Sequence, residues 1–149
     1  IAHKFEAEKA ATGKLDKPIG YGTWGKILQV LMASLAPIYK IKPCKTDITI
    51  EQDIFPLNKY GVKGKILLTP GHTEGSLSLL LDTGEVFVGD LAMGGFPKLK
   101  GKGMPVICKD PVQLIESWKL LLQEKARLIY PAHGVPFNAE ILQKDIEDN

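Results

Sequence analysis

Two apolar runs, residues 77–81 and 85–88, are separated by Asp82-Thr83-Gly84, and this juxtaposition constrains the fold more than any other stretch of the chain. Asp and Gly tolerate the dihedrals of a tight turn, so the runs are predicted to pair as an antiparallel hairpin. Both are too apolar for strands with one wet face. The expectation is therefore a sheet covered on both faces, as in layered α/β architectures.

Further strands are expected at residues 47–50, 53–55, 65–68 and 128–130, each bounded by turn-forming residues. Residues 4–11 carry helix formers and stop before Gly13, a usual residue just past a helix end. Between residues 21 and 40, Trp24, Ile27, Leu28, Leu31, Met32 and Leu35 recur at steps of three and four, the mark of an amphipathic helix. That stripe is expected to pack into the core; a lid over a pocket or a partner interface are the alternatives. Residues 94–105, rich in Gly, Lys and Pro, are expected to form a loop. Asp110-Pro111 opens a helix with Leu114, Ile115, Trp118, Leu121 and Leu122 as its buried stripe, and Asn138 is expected to cap a last helix over 139–146. This order predicts one α/β (α+β) layered domain over residues 1–149.

The formal net charge of +2, with lysines spread along the chain, points to neither a nucleic-acid nor a membrane partner. No segment approaches the roughly 20 apolar residues of a membrane-spanning helix, so a soluble protein is expected, small-molecule chemistry stays open, and a cytoplasmic location is expected. Cys44 and Cys108 match no zinc or redox spacing and are expected to stay reduced.

Three polar residues share one context. His72, Asp90 and His133 each follow the C-terminal end of a predicted strand, where active sites gather on rigid sheets. Two imidazoles and a carboxylate suit zinc, manganese or iron. Taken singly, each His is as readily a hydrogen-bonded turn residue, and Asp90 a cap on nearby backbone N–H groups.

Residues 69–76 (Thr-Pro-Gly-His-Thr-Glu-Gly-Ser), Val88-Gly89-Asp90 and residues 130–134 (Tyr-Pro-Ala-His-Gly) resemble the third, fourth and fifth metal motifs of the metallo-β-lactamase fold, in the same order. Their spacing is similar to that of compact glyoxalase II-like and lactonase-like members. The resemblance implies a partial αββα sandwich comprising the C-terminal two-thirds of the fold. It implies two zinc ions, with manganese or iron as substitutes. His72 would hold the first, Asp90 would bridge both and His133 would hold the second. Thr73 and Ser76 would support His72 by hydrogen bonding or, equally, bond locally as turn residues, and Lys98, Lys100 and Lys102 would border a pocket for an anionic substrate or belong to a solvated loop. The implied reaction is hydrolysis of a small ester, thioester, lactone or phosphoester by a metal-bound hydroxide.

The H-x-H-x-D-H motif, source of three more ligands and the acid–base Asp, does not occur in the sequence. The chain is therefore expected to be cut at its N-terminus, to carry no catalytic acid–base residue, to bind metal weakly or not at all, and to expose apolar sheet surface or cover it in a homodimer. His3 is expected to be a structural or surface residue. The alternative function is a non-catalytic domain acting through self-association or partner binding. A di-iron oxidoreductase would need a fused electron carrier and a carboxylate-rich first motif, and neither is visible.

Overall fold

A six-stranded mixed sheet organises the protein in a computed structural model that describes residues 1–14, 16–36, 38, 41–96 and 100–148. In chain order its elements are β1 (Ala2–His3), α1 (Lys4–Thr12), α2 (Gly22–Leu35), β2 (Thr49–Ile50), β3 (Ile54–Pro56), a 3-10 turn (Asn58–Tyr60), β4 (Gly64–Leu68), β5 (Leu77–Leu81) and β6 (Glu85–Gly89). There follow β7 (Met93–Phe96), β8 (Lys100–Gly103), α3 (Pro111–Gln123), β9 (Leu128–Pro131), β10 (Phe137–Asn138) and α4 (Glu140–Glu147).

The sheet runs β10-β9-β6-β5-β4-β3. Its neighbours are antiparallel except β6 and β9, which are parallel. A parallel pair needs a crossover, and α3 lies in the connection between those two strands. The predicted hairpin is β5–β6, with Leu79 opposite Phe87 and Leu80 opposite Val86. Asp110 begins α3 as expected, its side chain accepting from the Gln113 N–H at 3.0 Å ahead of Pro111.

Alternation along the strands sends Leu67, Leu80, Val86, Val88 and Ile129 toward Leu114, Trp118 and Leu121 of α3 and Leu142 of α4, forming the main core. On the other face Ile66, Leu77 and Leu79 meet a smaller cluster of Ile50, Phe55 and Leu57. Beyond that cluster the face opens. Phe87 is 44% exposed and stacks on Tyr130 with ring centroids 4.9 Å apart. The expectation of a sheet covered on both faces is thus met on one face and half met on the other, because the two-residue strands β1 and β2 supply too little apolar surface to span it.

The amphipathic helix reverses its expectation. Among the residues of α2 only Gly25 is buried, while Trp24, Ile27 and Leu31 are each more than half exposed. The helix rests on the body by its Gly25–Gln29 flank. A Cβ at Gly25 would lie 2.1 Å from the Val106 carbonyl oxygen, and the Gln29 Oε1 accepts from the Gly20 N–H at 2.9 Å. Helical period reveals that a stripe exists, not which way it points. Residues 94–105 also differ from expectation. Gly94–Phe96 and Lys100–Gly103 pair as an antiparallel ribbon through backbone bonds that leave no side-chain period, and residues 97–99 lie outside the described residues. Asn138 pairs with Leu128 in β10 rather than capping α4, which starts from Ala139.

Cys44 is exposed, and Cys108 is buried with its thiol donating to the Gly71 carbonyl at 3.4 Å. Among the described residues no helix is long and apolar enough to cross a membrane. His3 is buried and packs on Phe5 at 4.9 Å. Trp118 is fully buried in the main core, so Trp118→Ala is expected to cost about 3–5 kcal/mol through lost contacts and a residual cavity. Urea unfolding followed by far-UV circular dichroism measures this, and a cost under about 1 kcal/mol would contradict the assigned core.

Candidate metal centre

The turn after β4 is held from several directions. Gly71 has φ 138°, and a Cβ there would sit 2.4 Å from the Leu114 Cα, so only glycine lets the turn lie against the first turn of α3. Its carbonyl accepts from the backbone N–H groups of Lys109 and Asp110 at 3.0 and 2.9 Å. The Ser117 hydroxyl donates to the Pro70 carbonyl at 2.6 Å, and Thr69 and Ser78 hydroxyls, both buried, bond at 2.8 Å. These contacts fix where His72 leaves the sheet.

The His72 ring is oriented by a group that sequence reading missed. Its Nδ1 lies 2.9 Å from the Ile107 carbonyl oxygen. A carbonyl only accepts, so in the neutral ring Nδ1 carries the proton and Nε2 keeps a free lone pair. Thr73 and Ser76, expected to support His72, bond one another instead, hydroxyl to hydroxyl at 2.9 Å, with the Thr73 N–H donating to Ser76 Oγ at 3.0 Å. They shape the turn, and Ile107 aims the ring. No motif could have flagged Ile107, because a backbone carbonyl leaves no trace in residue type.

Asp90 follows β6, tied down by the Ala132 N–H donating to the Gly89 carbonyl at 2.9 Å. One residue on, the Leu91 carbonyl accepts from the Trp118 indole N–H at 3.0 Å. His133 follows β9, and its carbonyl accepts from the Gly94 N–H at 2.8 Å. Gly94 and Gly134 meet so closely that a Cβ on Gly134 would lie 2.6 Å from Gly94 backbone, which locks the β7–β8 ribbon against the His133 loop.

The three predicted residues come together. Asp90 presents Oδ2 to His72 Nε2 at 3.8 Å and Oδ1 to His133 Nε2 at 3.4 Å. Both distances exceed an N–H···O hydrogen bond. Two donors bound at about 2.0–2.1 Å to one tetrahedral ion lie about 3.3 Å apart, so each imidazole–carboxylate pair has roughly the spacing of ligands on a shared cation. The side chains are 23%, 39% and 62% exposed for His72, Asp90 and His133, leaving the centre open to water.

In kind and spacing these donors fit two cations bridged by Asp90; in number they do not. Each ion would have two protein donors where catalytic zinc has three, and among the described residues no group of three or more His, Cys, Asp or Glu closes around one point. The lysines expected near the centre do not complete it. Lys98 lies outside the described residues, Lys100 contributes backbone to β8, and the Lys102 Nζ sits 6.0 Å from the Phe137 ring centroid. A separate groove of about 300 Å³, lined by Phe5, Glu8, Lys9, Thr12, Lys14 and Glu74, contains none of the three.

No protein-family model matches the chain. Solved structures do. An archaeal metallo-β-lactamase superfamily protein from Sulfolobus tokodaii superposes with a TM-score of 0.54 at 24% identity, over 83% of this chain and 49% of its own. The B3 metallo-β-lactamase BLEG-1 gives 0.61 at 18% identity, over 97% and 61%. A protein named TTHA1623, solved in a di-iron-bound form, gives 0.51 at 24% identity, over 76% and 54%. The chain therefore has a partial metallo-β-lactamase fold and spans about half to three-fifths of the length of these structures.

The His72 geometry yields a direct expectation. Nitrogen-15 NMR of the neutral ring should find the proton on Nδ1. A neutral ring protonated on Nε2 would contradict the bond to Ile107.

Proposed function

We propose that this chain, with its metallo-β-lactamase fold, carries the His72, Asp90 and His133 half of a metal-dependent hydrolase acting on a small ester, thioester, lactone or phosphoester. The observation that carries the reading is the Asp90 carboxylate, which turns one oxygen to each of two imidazole Nε2 atoms at ligand-pair spacing. A bound pair of cations would supply a water of lowered pKa and a Lewis acid for a carbonyl or phosphoryl oxygen.

What the chain's own residues contribute is positioning. The Ile107 carbonyl holds the tautomer that leaves His72 Nε2 free to bind, and the Gly94–Gly134 contact holds the His133 loop. Asp90 is the one side chain common to both halves of the centre. Zinc is the metal we favour, since two imidazoles and a carboxylate suit it; iron is the second candidate, because one similar structure is di-iron-bound. A full centre needs donors beyond those among the described residues, and the hydrolytic activity is that of a whole protein that provides them.

The test is isothermal titration of the chain with zinc, manganese and ferrous iron. Weak binding is expected, and Asp90→Ala should lower affinity by more than the roughly 10–100-fold that follows loss of an outer hydrogen-bonding partner, because it removes a direct donor from both ions. Metal binding that survives Asp90→Ala unchanged sinks the proposal.

A further inference from the structure

We propose, resting on the reading of His72 as a metal ligand, that Gly25 and Gln29 of α2 are positioning residues for that ligand, acting through the Ile107 carbonyl. This carbonyl faces His72 because of how its neighbours are paired. Gly20 and Ile107 form an antiparallel bridge, in which the Tyr21 N–H donates to the Val106 carbonyl at 2.8 Å and the Cys108 N–H to the Ile19 carbonyl at 2.9 Å. Successive carbonyls of an extended chain point to opposite sides. The Val106 carbonyl points at Tyr21, so the Ile107 carbonyl points the other way, and there it meets His72 Nδ1 at 2.9 Å.

So short a pairing has little stability of its own, and α2 braces it. The bridge uses the Tyr21 N–H and the Ile19 carbonyl and leaves the Gly20 N–H over; Gln29 Oε1 takes it at 2.9 Å. Gly25 lies against both strands of the bridge. A Cβ there would stand 2.1 Å from the Val106 oxygen and 2.9 Å from the Gly20 carbonyl carbon, and a Cβ at Gly20 would stand 2.1 Å from the Gly25 oxygen. Only bare backbone at both positions allows this approach. The segment is tied on its far side to the turn that carries His72. The Cys108 thiol donates to the Gly71 carbonyl at 3.4 Å, and the Lys109 N–H is shared between the Gly71 and His72 carbonyls at 3.0 and 3.3 Å. Residues 106–109 therefore stand between α2 and the turn, and a displacement of Val106 reaches the acceptor of the His72 ring one residue on.

The test reads the ring and not turnover. Long-range nitrogen-15 NMR of the full chain, with the His72 signals assigned by their loss in His72→Gln, gives the ratio of Nδ1–H to Nε2–H forms of the neutral imidazole. Gln29→Leu removes the acceptor of the Gly20 N–H and should lower that ratio roughly fivefold, the equivalent of one ordinary hydrogen bond. Gln29→Glu keeps an acceptor oxygen at the same reach and should restore the ratio. Gly25→Ala puts a methyl where the Val106 oxygen stands and should lower it at least as far.

Urea midpoints are measured on the same variants. A role confined to stability would lower the midpoint of Gln29→Leu and leave the ratio unmoved, and that result overturns the proposal, as does an equal fall of the ratio in Gln29→Glu. If Gly25→Ala fails to fold, the two Gln29 variants decide, since neither places an atom against the Val106 oxygen. The two readings fail separately. Metal binding indifferent to Asp90→Ala would strike the reading of the centre and leave the tautomer result standing, whereas a tautomer indifferent to Gln29→Leu strikes the role of α2 alone.

Discussion

The contact between the Gly71 turn and the start of α3 governs the rest of the molecule. A carbonyl that accepts two backbone N–H groups, on a residue whose missing side chain lets the backbones close up, fixes the helix to the sheet at the strand end where His72 emerges. Further along the same helix Ser117 donates to Pro70 and the Trp118 indole to Leu91, the residue after Asp90. One helix therefore sets the height of two candidate ligands above the sheet while its apolar side fills the main core. Stability and site geometry are one construction here, since shifting α3 would move both.

That construction is one-sided. The face under α3 and α4 is closed by large aliphatic side chains and a tryptophan, and the opposite face is closed only over β4 and β5. Phe87 and Tyr130 stack on each other at the open part, which removes some ring surface from water without covering it. α2 adds a second apolar surface on the outside.

At the candidate centre, Asp90 is the side chain that both imidazoles share. A carboxylate has two oxygens and here each faces a different imidazole, so one side chain couples the ends of β4 and β9 across β6. The order of strands makes this possible, because β6 is hydrogen-bonded to β9 on one side and reaches β4 through β5 on the other. The openness of His133 to solvent leaves room for further donors and for a substrate.

Much of this was legible in the residues. The Asp82-Thr83-Gly84 turn between apolar runs dictated the central hairpin and Asp110-Pro111 the start of α3, because turn dihedrals and helix capping are properties of residue type; His72, Asp90 and His133 were singled out by the resemblance of three ordered motifs, and the fold brings their side chains together. Tertiary structure alone decided the rest. Whether the α2 stripe faced the core or the solvent depended on which flank could sit against Val106, and that on the bare backbone at Gly25. The ring of His72 is aimed by the carbonyl of a residue 35 positions away, and the ribbon of β7 and β8 is held by backbone bonds. Backbone groups are the same in every residue, so what they bind is decided only when the chain brings them together.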